Sequence, residues 1–128
     1  MARSPCILIA CSEAENRQAL LEVLSHCGLE AVLSASVREA RRVLSRRGVG
    51  LVFCASHLKD GSFQDVLRTT EAAGEKIPVV VTSRVDNTSE YLEAMRSGAF
   101  DYVACPYQRS ELERIVSRAL QRTAVAAA

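Results

Sequence analysis

The stretch GLVFCASHLKDGS, residues 50 to 62, decides how this chain is read. Leu51, Val52, Phe53 and Cys54 form an unbroken apolar run, the pattern of a strand buried on both faces, and the polar residues behind it close on Gly61 as a turn does. Such a strand suits the interior of a parallel sheet, where reactive groups collect at the carboxyl ends of the strands. At that end stands Ala55, a methyl group where a reactive carboxylate would be useful.

The same kind of run recurs on either side: CILIA at 6 to 10, LEAVLSA at 29 to 35, IPVVVTS at 77 to 83 and AFDYVAC at 99 to 105. Helix-period segments separate them. Ser12 with Glu15 reads as a capping box for the first, with Leu20, Leu21, Leu24 and Cys27 on one face and Gly28 as the stop. Ser36 with Glu39 opens the second, where Ala40, Val43, Leu44 and Arg47 face or border the core and Gly48 ends the helix. Val66, Leu67 and Thr70 place a third between Ser62 and Gly74. Tyr91, Leu92, Met95 and Gly98 place a fourth after Asn87 or Thr88, and Ser110 with Glu113 opens a fifth carrying Leu112, Ile115, Val116, Ala119 and Leu120. Five strands alternating with five helices predict an α/β fold, a doubly wound parallel sheet covered on both faces and joined by right-handed crossovers.

With 128 residues, 48% apolar content and a net charge of +1, the chain fits one domain with an ordinary core and no bias towards coating nucleic acid. The domain is expected over residues 1–122, with 123–128 a tail or the start of a linker. PCILIAC is too short an apolar stretch for a secretion signal, and no segment reads as a membrane span, so a cytoplasmic setting is expected. Five cysteines without a C-x-x-C pair make neither a zinc site nor a disulfide framework. No G-x-G-x-x-G, P-loop, Cys-His or Ser-His arrangement supports an enzyme on this scaffold, and no cofactor is expected.

The ends of the strands carry a resemblance. ILIACSE, LVFCASHLKDGSFQDVL, PVVVTS and AMRSGAFDYVACPY, in this order and at these distances, resemble the receiver domain of bacterial two-component response regulators over residues 5 to 122. The resemblance implies a flavodoxin-like sheet of strand order 2-1-3-4-5. It also implies a chemistry in which an aspartate after the third strand accepts a phosphoryl group from a histidine kinase, aided by magnesium held by an acidic pair, with a lysine and a hydroxyl meeting the charge. Carried over position by position, the acidic pair becomes Cys11 and Ser12, the acceptor becomes Ala55 and the lysine becomes Cys105. Ser83 keeps the hydroxyl and Tyr102 the aromatic position of the fifth strand. The resemblance therefore implies a degenerate site that does not accept phosphate.

Other residues offer little replacement. Asp60 reads as a turn former, Ser56 as turned away from Ala55 by strand alternation, Glu13 as a helix-start acid and His57 as a loop histidine. Tyr91, Tyr102 and Tyr107 are expected to cluster on a face for a protein partner or homodimer, formed by the fourth helix, fifth strand and fifth helix. Cys105–Pro106 is expected to be cis, by the same resemblance. The ending ELERIVSRALQR resembles the helix that leads into a transcription-activating output domain in cis, so the chain is expected to be the N-terminal regulatory domain of a transcriptional regulator. The alternative is a thiol-based redox sensor using Cys11 and Cys105, or a small-ligand sensor. Arg38, Arg41, Arg42 and Arg46 form an outward basic stripe on the second helix, read as a solvated face, and direct nucleic-acid binding is not expected.

Overall fold

β3 is the strand around which the rest is arranged. In the computed structural model, which describes residues 6–46, 48–72, 77–84 and 87–127, it spans Val49–Ala55 and is buried throughout except at Ala55. β1 (Cys6–Ala10), β2 (Ala31–Ser34), β4 (Val79–Ser83) and β5 (Asp101–Ala104) join it in one parallel sheet of order β2-β1-β3-β4-β5. The five helices are α1 (Ala14–His26), α2 (Val37–Arg46), α3 (Phe63–Ala72), α4 (Thr88–Ser97) and α5 (Arg109–Ala127). This is the architecture expected from the alternation of apolar runs and capped helices.

Alternation along the strands divides the core in two. Leu8, Ala10, Val52, Cys54, Val79 and Val81 face α2, α3 and α4, where Ala40, Val66, Leu67 and Ala94 meet them. Ile7, Ile9, Cys11, Leu51, Phe53, Val80 and Val103 face the other way, against Leu20 and Leu24 of α1 and Leu112, Ile115, Val116 and Ala119 of α5. Burying each large side chain contributes about 1.5–3 kcal/mol before the entropy of ordering it is counted. β2 is the edge on one side, and it is shorter and more exposed than the run 29–35 suggests, with Leu33 40% exposed.

Several ends differ from the sequence reading. α1 takes Glu13 as its N-cap with no side-chain cap bond, because the Ser12 hydroxyl is engaged elsewhere. α5 starts at Arg109, one residue before Ser110, and Glu113 pairs with Arg109 at 2.7 Å instead of closing a box. Its helical backbone runs on to Ala127, through most of the segment read as a tail or linker. Half of the Ser36 and Glu39 box forms: Glu39 N–H donates to Ser36 Oγ at 3.1 Å, while the Glu39 carboxylate accepts from Ala35 N–H at 3.2 Å, one residue before the cap. Asn87 caps α4 by accepting from Glu90 N–H at 3.1 Å, and Gly98 ends it in the left-handed region at φ 106°. Arg47 and Gly74, read as a core-bordering residue and a helix limit, lie outside the described residues.

Asp60 does more than turn the chain. Its carboxylate accepts from Val37 N–H at 2.7 Å and Arg38 N–H at 3.1 Å, capping α2 from another part of the chain. His57–Leu58 and Gly61–Ser62 form a small antiparallel ladder around it. A side chain at Gly61 would collide with the Asp65 carboxylate and press on Val37, so glycine lets the turn lie close. The two N–H donors, Val37 first, hold the Asp60 carboxyl below its ordinary pKa. A lowered folded-state pKa stabilises above the unfolded value near 3.9 and ceases to do so as pH falls through the folded one. Asp60→Ala is therefore expected to lower the melting temperature by several degrees at pH 7. The gap from the parent chain should close as the pH falls below about 4 in a series of thermal melts.

Candidate functional site

The winding reverses between β1 and β3, since the chain leaves β1 for β2 on one side and crosses to β3 on the other. The crevice this leaves at the carboxyl ends is where a doubly wound sheet presents its ligand site. A cleft of about 480 Å³ opens there, lined by Ala55, Ser56, Thr82, Ser83 and Arg84 on the strand ends and by Glu13, Asn16, Asn87 and Glu90 on the helix starts. Ala55 pairs with Thr82 across β3 and β4, and the Cys105 N–H donates to the Ser83 carbonyl at 2.9 Å. Cys11, Ser12, Ala55, Ser83 and Cys105 thus all occupy strand ends at one rim, as the sequence places them.

They do not share one environment. Cys11 is 1% exposed and faces the α1 and α5 core, and burial raises its thiol pKa. Its carbonyl accepts from the Arg17 guanidinium at 2.7 Å. Ser12 donates to the Ala35 carbonyl at 2.9 Å and accepts from Lys59 N–H at 3.3 Å, joining the ends of β1 and β2 to the loop after β3. Cys105 is exposed and its bond to Pro106 is cis, as expected. β1 and β5 are three strand spacings apart in the sheet, about 14 Å, against the roughly 7 Å that a disulfide spans between α carbons. The thiol-pair reading loses its geometry for that reason.

Sequence reasoning missed the groups that span the cleft. Glu13 reaches across it to Arg84, with Oε2 and Nη1 3.1 Å apart. The Ser56 hydroxyl donates to the Glu90 carboxylate on α4. β3 ends at Ala55, so strand alternation no longer governs Ser56, and it lines the same cleft instead of turning away. No local pattern marks either pair, because each joins residues far apart in the chain.

The three tyrosines separate. Tyr91 and Tyr102 meet edge to face, with ring centroids 5.8 Å apart at 82°, beside a groove of about 410 Å³ formed with Cys105, Pro106, Gln108 and Glu111. Tyr107 turns the other way, packs against the α1 and α5 core and donates its hydroxyl to Asn16 Oδ1. Burial pushes its phenol up to about 12 despite that bond. Thr82 Oγ1 lies near the same phenol, but only the contact with Asn16 has full hydrogen-bond geometry. α4 departs further from the sequence reading: Tyr91, Leu92 and Met95 are 41%, 43% and 37% exposed, and Ala94 alone is buried.

Residues 7–117 match the response regulator receiver domain family. The chain belongs to that family. Among its curated relatives, the response regulator protein PilR of Pseudomonas aeruginosa is 27% identical over 114 residues, which cover 89% of this chain and 26% of that protein. The DNA-binding transcriptional regulator NtrC of Rhizobium meliloti is 28% identical over 114 residues, covering 89% of this chain and 24% of NtrC. The chain thus spans about a quarter of the length of these relatives. The crystal structure of the receiver domain of NtrX from Brucella abortus superposes with a TM-score of 0.80 at 27% identity, covering 90% of this chain and 98% of that one. The receiver fold is flavodoxin-like, and none of its described helices is long and apolar enough to cross a membrane.

Burial separates the thiols of this receiver domain by reactivity. Cys54 is fully buried, and its pKa is pushed up to about 12 by that burial. Thiolate is the reactive form. In native thiol titration with Ellman's reagent, Cys105 is expected to react first, with Cys11 and Cys54 reacting only on unfolding. Mild peroxide should leave no Cys11–Cys105 disulfide in a non-reducing peptide map; finding one would refute the sheet-spacing argument.

Proposed function

We propose that this receiver domain signals without accepting a phosphoryl group, as a pseudo-receiver that works by protein contact within a longer cytoplasmic transcriptional regulator. Ala55 at the end of β3 carries this reading. Phosphoryl transfer to a receiver needs a carboxylate oxygen as the nucleophile, and a methyl group has none. Cys11 and Ser12 stand at the acidic-pair positions, Cys105 at the lysine position, and Ser83 alone retains its hydroxyl in this degenerate site.

The remaining donors are a poor fit for magnesium. A hard divalent cation takes carboxylate and water oxygens in near-octahedral order. Glu13 already faces the Arg84 guanidinium, and among the described residues no three His, Cys, Asp or Glu side chains gather to hold an ion. Glu90 accepts from Ser56, so the second carboxylate at the cleft is also engaged. A rim whose carboxylates are already engaged by Arg84 and Ser56 suits a domain whose state is set by its partners.

The contact face we assign is that of α4, β5 and the start of α5, with Tyr91 and Tyr102 at its centre and Leu92 and Met95 beside them. Aromatic groups beside exposed aliphatic ones bury area at low entropy cost when a partner or second copy covers them. Tyr107 is left out, because its hydroxyl is committed to Asn16 on the opposite side. The sequence relatives PilR and NtrC support an output domain in cis, reached through α5.

Two measurements test the reading together. Incubation with magnesium and a small phosphodonor is expected to leave the protein at its unmodified mass, and beryllofluoride with magnesium to leave the amide spectrum around Ala55 and Ser83 unshifted. A stoichiometric acyl phosphate would overturn it. Leu92→Glu with Met95→Glu is expected to abolish self-association or partner binding in sedimentation while leaving the melting temperature within a few degrees of the parent, since both side chains are already exposed.

A further inference from the structure

The outer face of α2 carries Arg38, Arg41, Arg42 and Arg46, all exposed. Arg38, Arg42 and Arg46 follow one another at intervals of four residues, so their side chains rise along one line about 6 Å apart. Like charges at this spacing repel and destabilise the helix that bears them, and Arg38 stands at the positive end of the helix dipole, where a cation is least welcome. Folding alone gives no reason for the arrangement.

Elsewhere on the surface four arginines have carboxylate partners, while the exposed Arg96 and Arg114 have none among the described residues. Arg68 pairs with Asp65, Arg84 with Glu13, Arg109 with Glu113 and Arg118 with Asp101. Around α2 the nearby carboxylates all accept hydrogen bonds from other groups, and of the helix's arginines only Arg41 lies close enough to act on Asp60 and Asp65. Glu39 receives the Ala35 N–H, Asp60 receives the first two N–H groups of the helix, and Asp65 receives Ser62 N–H as well as Arg68. Arg41 is anchored to Thr69 Oγ1 at 3.0 Å, and among the described residues Arg38, Arg42 and Arg46 form no ion pair. The double cap by Asp60 and the caps from Ser36 and Glu39 fix the start of the helix, so the backbone positions from which the arginines project are set before any partner arrives.

We propose that this row is a docking surface for an acidic segment of a protein partner, one that presents carboxylates about 6 Å apart. Successive turns of an acidic helix have that spacing, and alternate residues of an acidic strand come close to it. Charge distribution favours a short segment over a nucleic acid. Val37–Arg46 holds four arginines and one glutamate, a net +3, whereas the whole chain has +1, so the rest of the chain is net −2 and would repel a long polyanion. No aromatic residue lies in α2 to stack on a base. The face is separate from that of α4 and β5, and the inference stands whether or not Ala55 has replaced an acceptor.

The test uses the whole 128-residue chain. A labelled poly-L-glutamate peptide is titrated into the parent, into R38Q/R42Q/R46Q and into R96Q/R109Q/R114Q, which removes the same charge elsewhere. The peptide is expected to bind the parent and the second variant alike, more weakly as salt is raised, and to lose about tenfold or more in affinity with the first. Without peptide, R38Q/R42Q/R46Q should melt no lower than the parent at low salt, because repulsion along α2 is relieved. Equal loss in both variants, no binding to the parent, or tighter binding of a duplex DNA than of the peptide at the same salt would overturn the proposal. A markedly lowered melting temperature for R38Q/R42Q/R46Q would do so as well, by showing that the row serves the fold.

Discussion

Everything in this domain follows from the requirement that β3 be covered on both faces. Its side chains from Leu51 to Cys54 are buried, Val52 and Cys54 facing α2, α3 and α4 and Leu51 and Phe53 facing α1 and α5. A strand enclosed in this way has no lateral surface for chemistry. Polar groups can meet only where the strands end, and the reversal of winding between β1 and β3 opens the crevice at that place. The identity of one residue, Ala55, therefore weighs heavily on what the domain is able to do.

Around that methyl group several polar side chains satisfy one another, though the buried Thr82 hydroxyl beside it has no hydrogen-bond partner among the described residues. Glu13 and Arg84 connect the start of α1 to the end of β4, Ser56 and Glu90 connect β3 to α4, and Ser12 connects β1 and β2 to the loop after β3. These contacts differ in weight. The Glu13 and Arg84 side chains are 48% and 72% exposed, so solvent screens the pair and it adds little to stability. Its effect is to engage the one acidic group next to the Cys11 and Ser12 positions. Ser56 is 8% exposed, and its bond to Glu90 lies in a less polar setting, where losing one partner would strand the other.

The sheet was legible because the apolar runs of β1, β3 and β4 have few other readings, and the helices because their apolar residues repeat with the right period. Boundaries were less so. Ser12 and Ser110 each stand three residues before a glutamate, the local mark of a capping box, yet Ser12 is drawn to Ala35 and Lys59, and Glu113 is drawn to Arg109. Long-range partners were illegible in principle: nothing near Asp60 in the sequence says that its carboxylate will cap α2. Tyr107 is illegible for a related reason, since proximity in sequence to β5 says nothing about the side of the sheet on which it packs, against Asn16 and the α1 and α5 core.

α4 shows the limit of periodicity most clearly. An apolar repeat identifies a helix and one of its faces, and the usual inference is that this face meets the core. Here the small residue, Ala94, fits against the sheet, while Tyr91, Leu92 and Met95 look outward. The core beside β4 is built from Val79, Val81, Leu67 and Val66, and of α4 only Ala94 is buried against it. Packing thus moves the larger side chains of α4 to the surface, while on α2 Arg38, Arg42 and Arg46 form no ion pair among the described residues. The two helices thus present faces of unlike chemistry, apolar on α4 at Tyr91, Leu92 and Met95 and cationic on α2 at Arg38, Arg42 and Arg46.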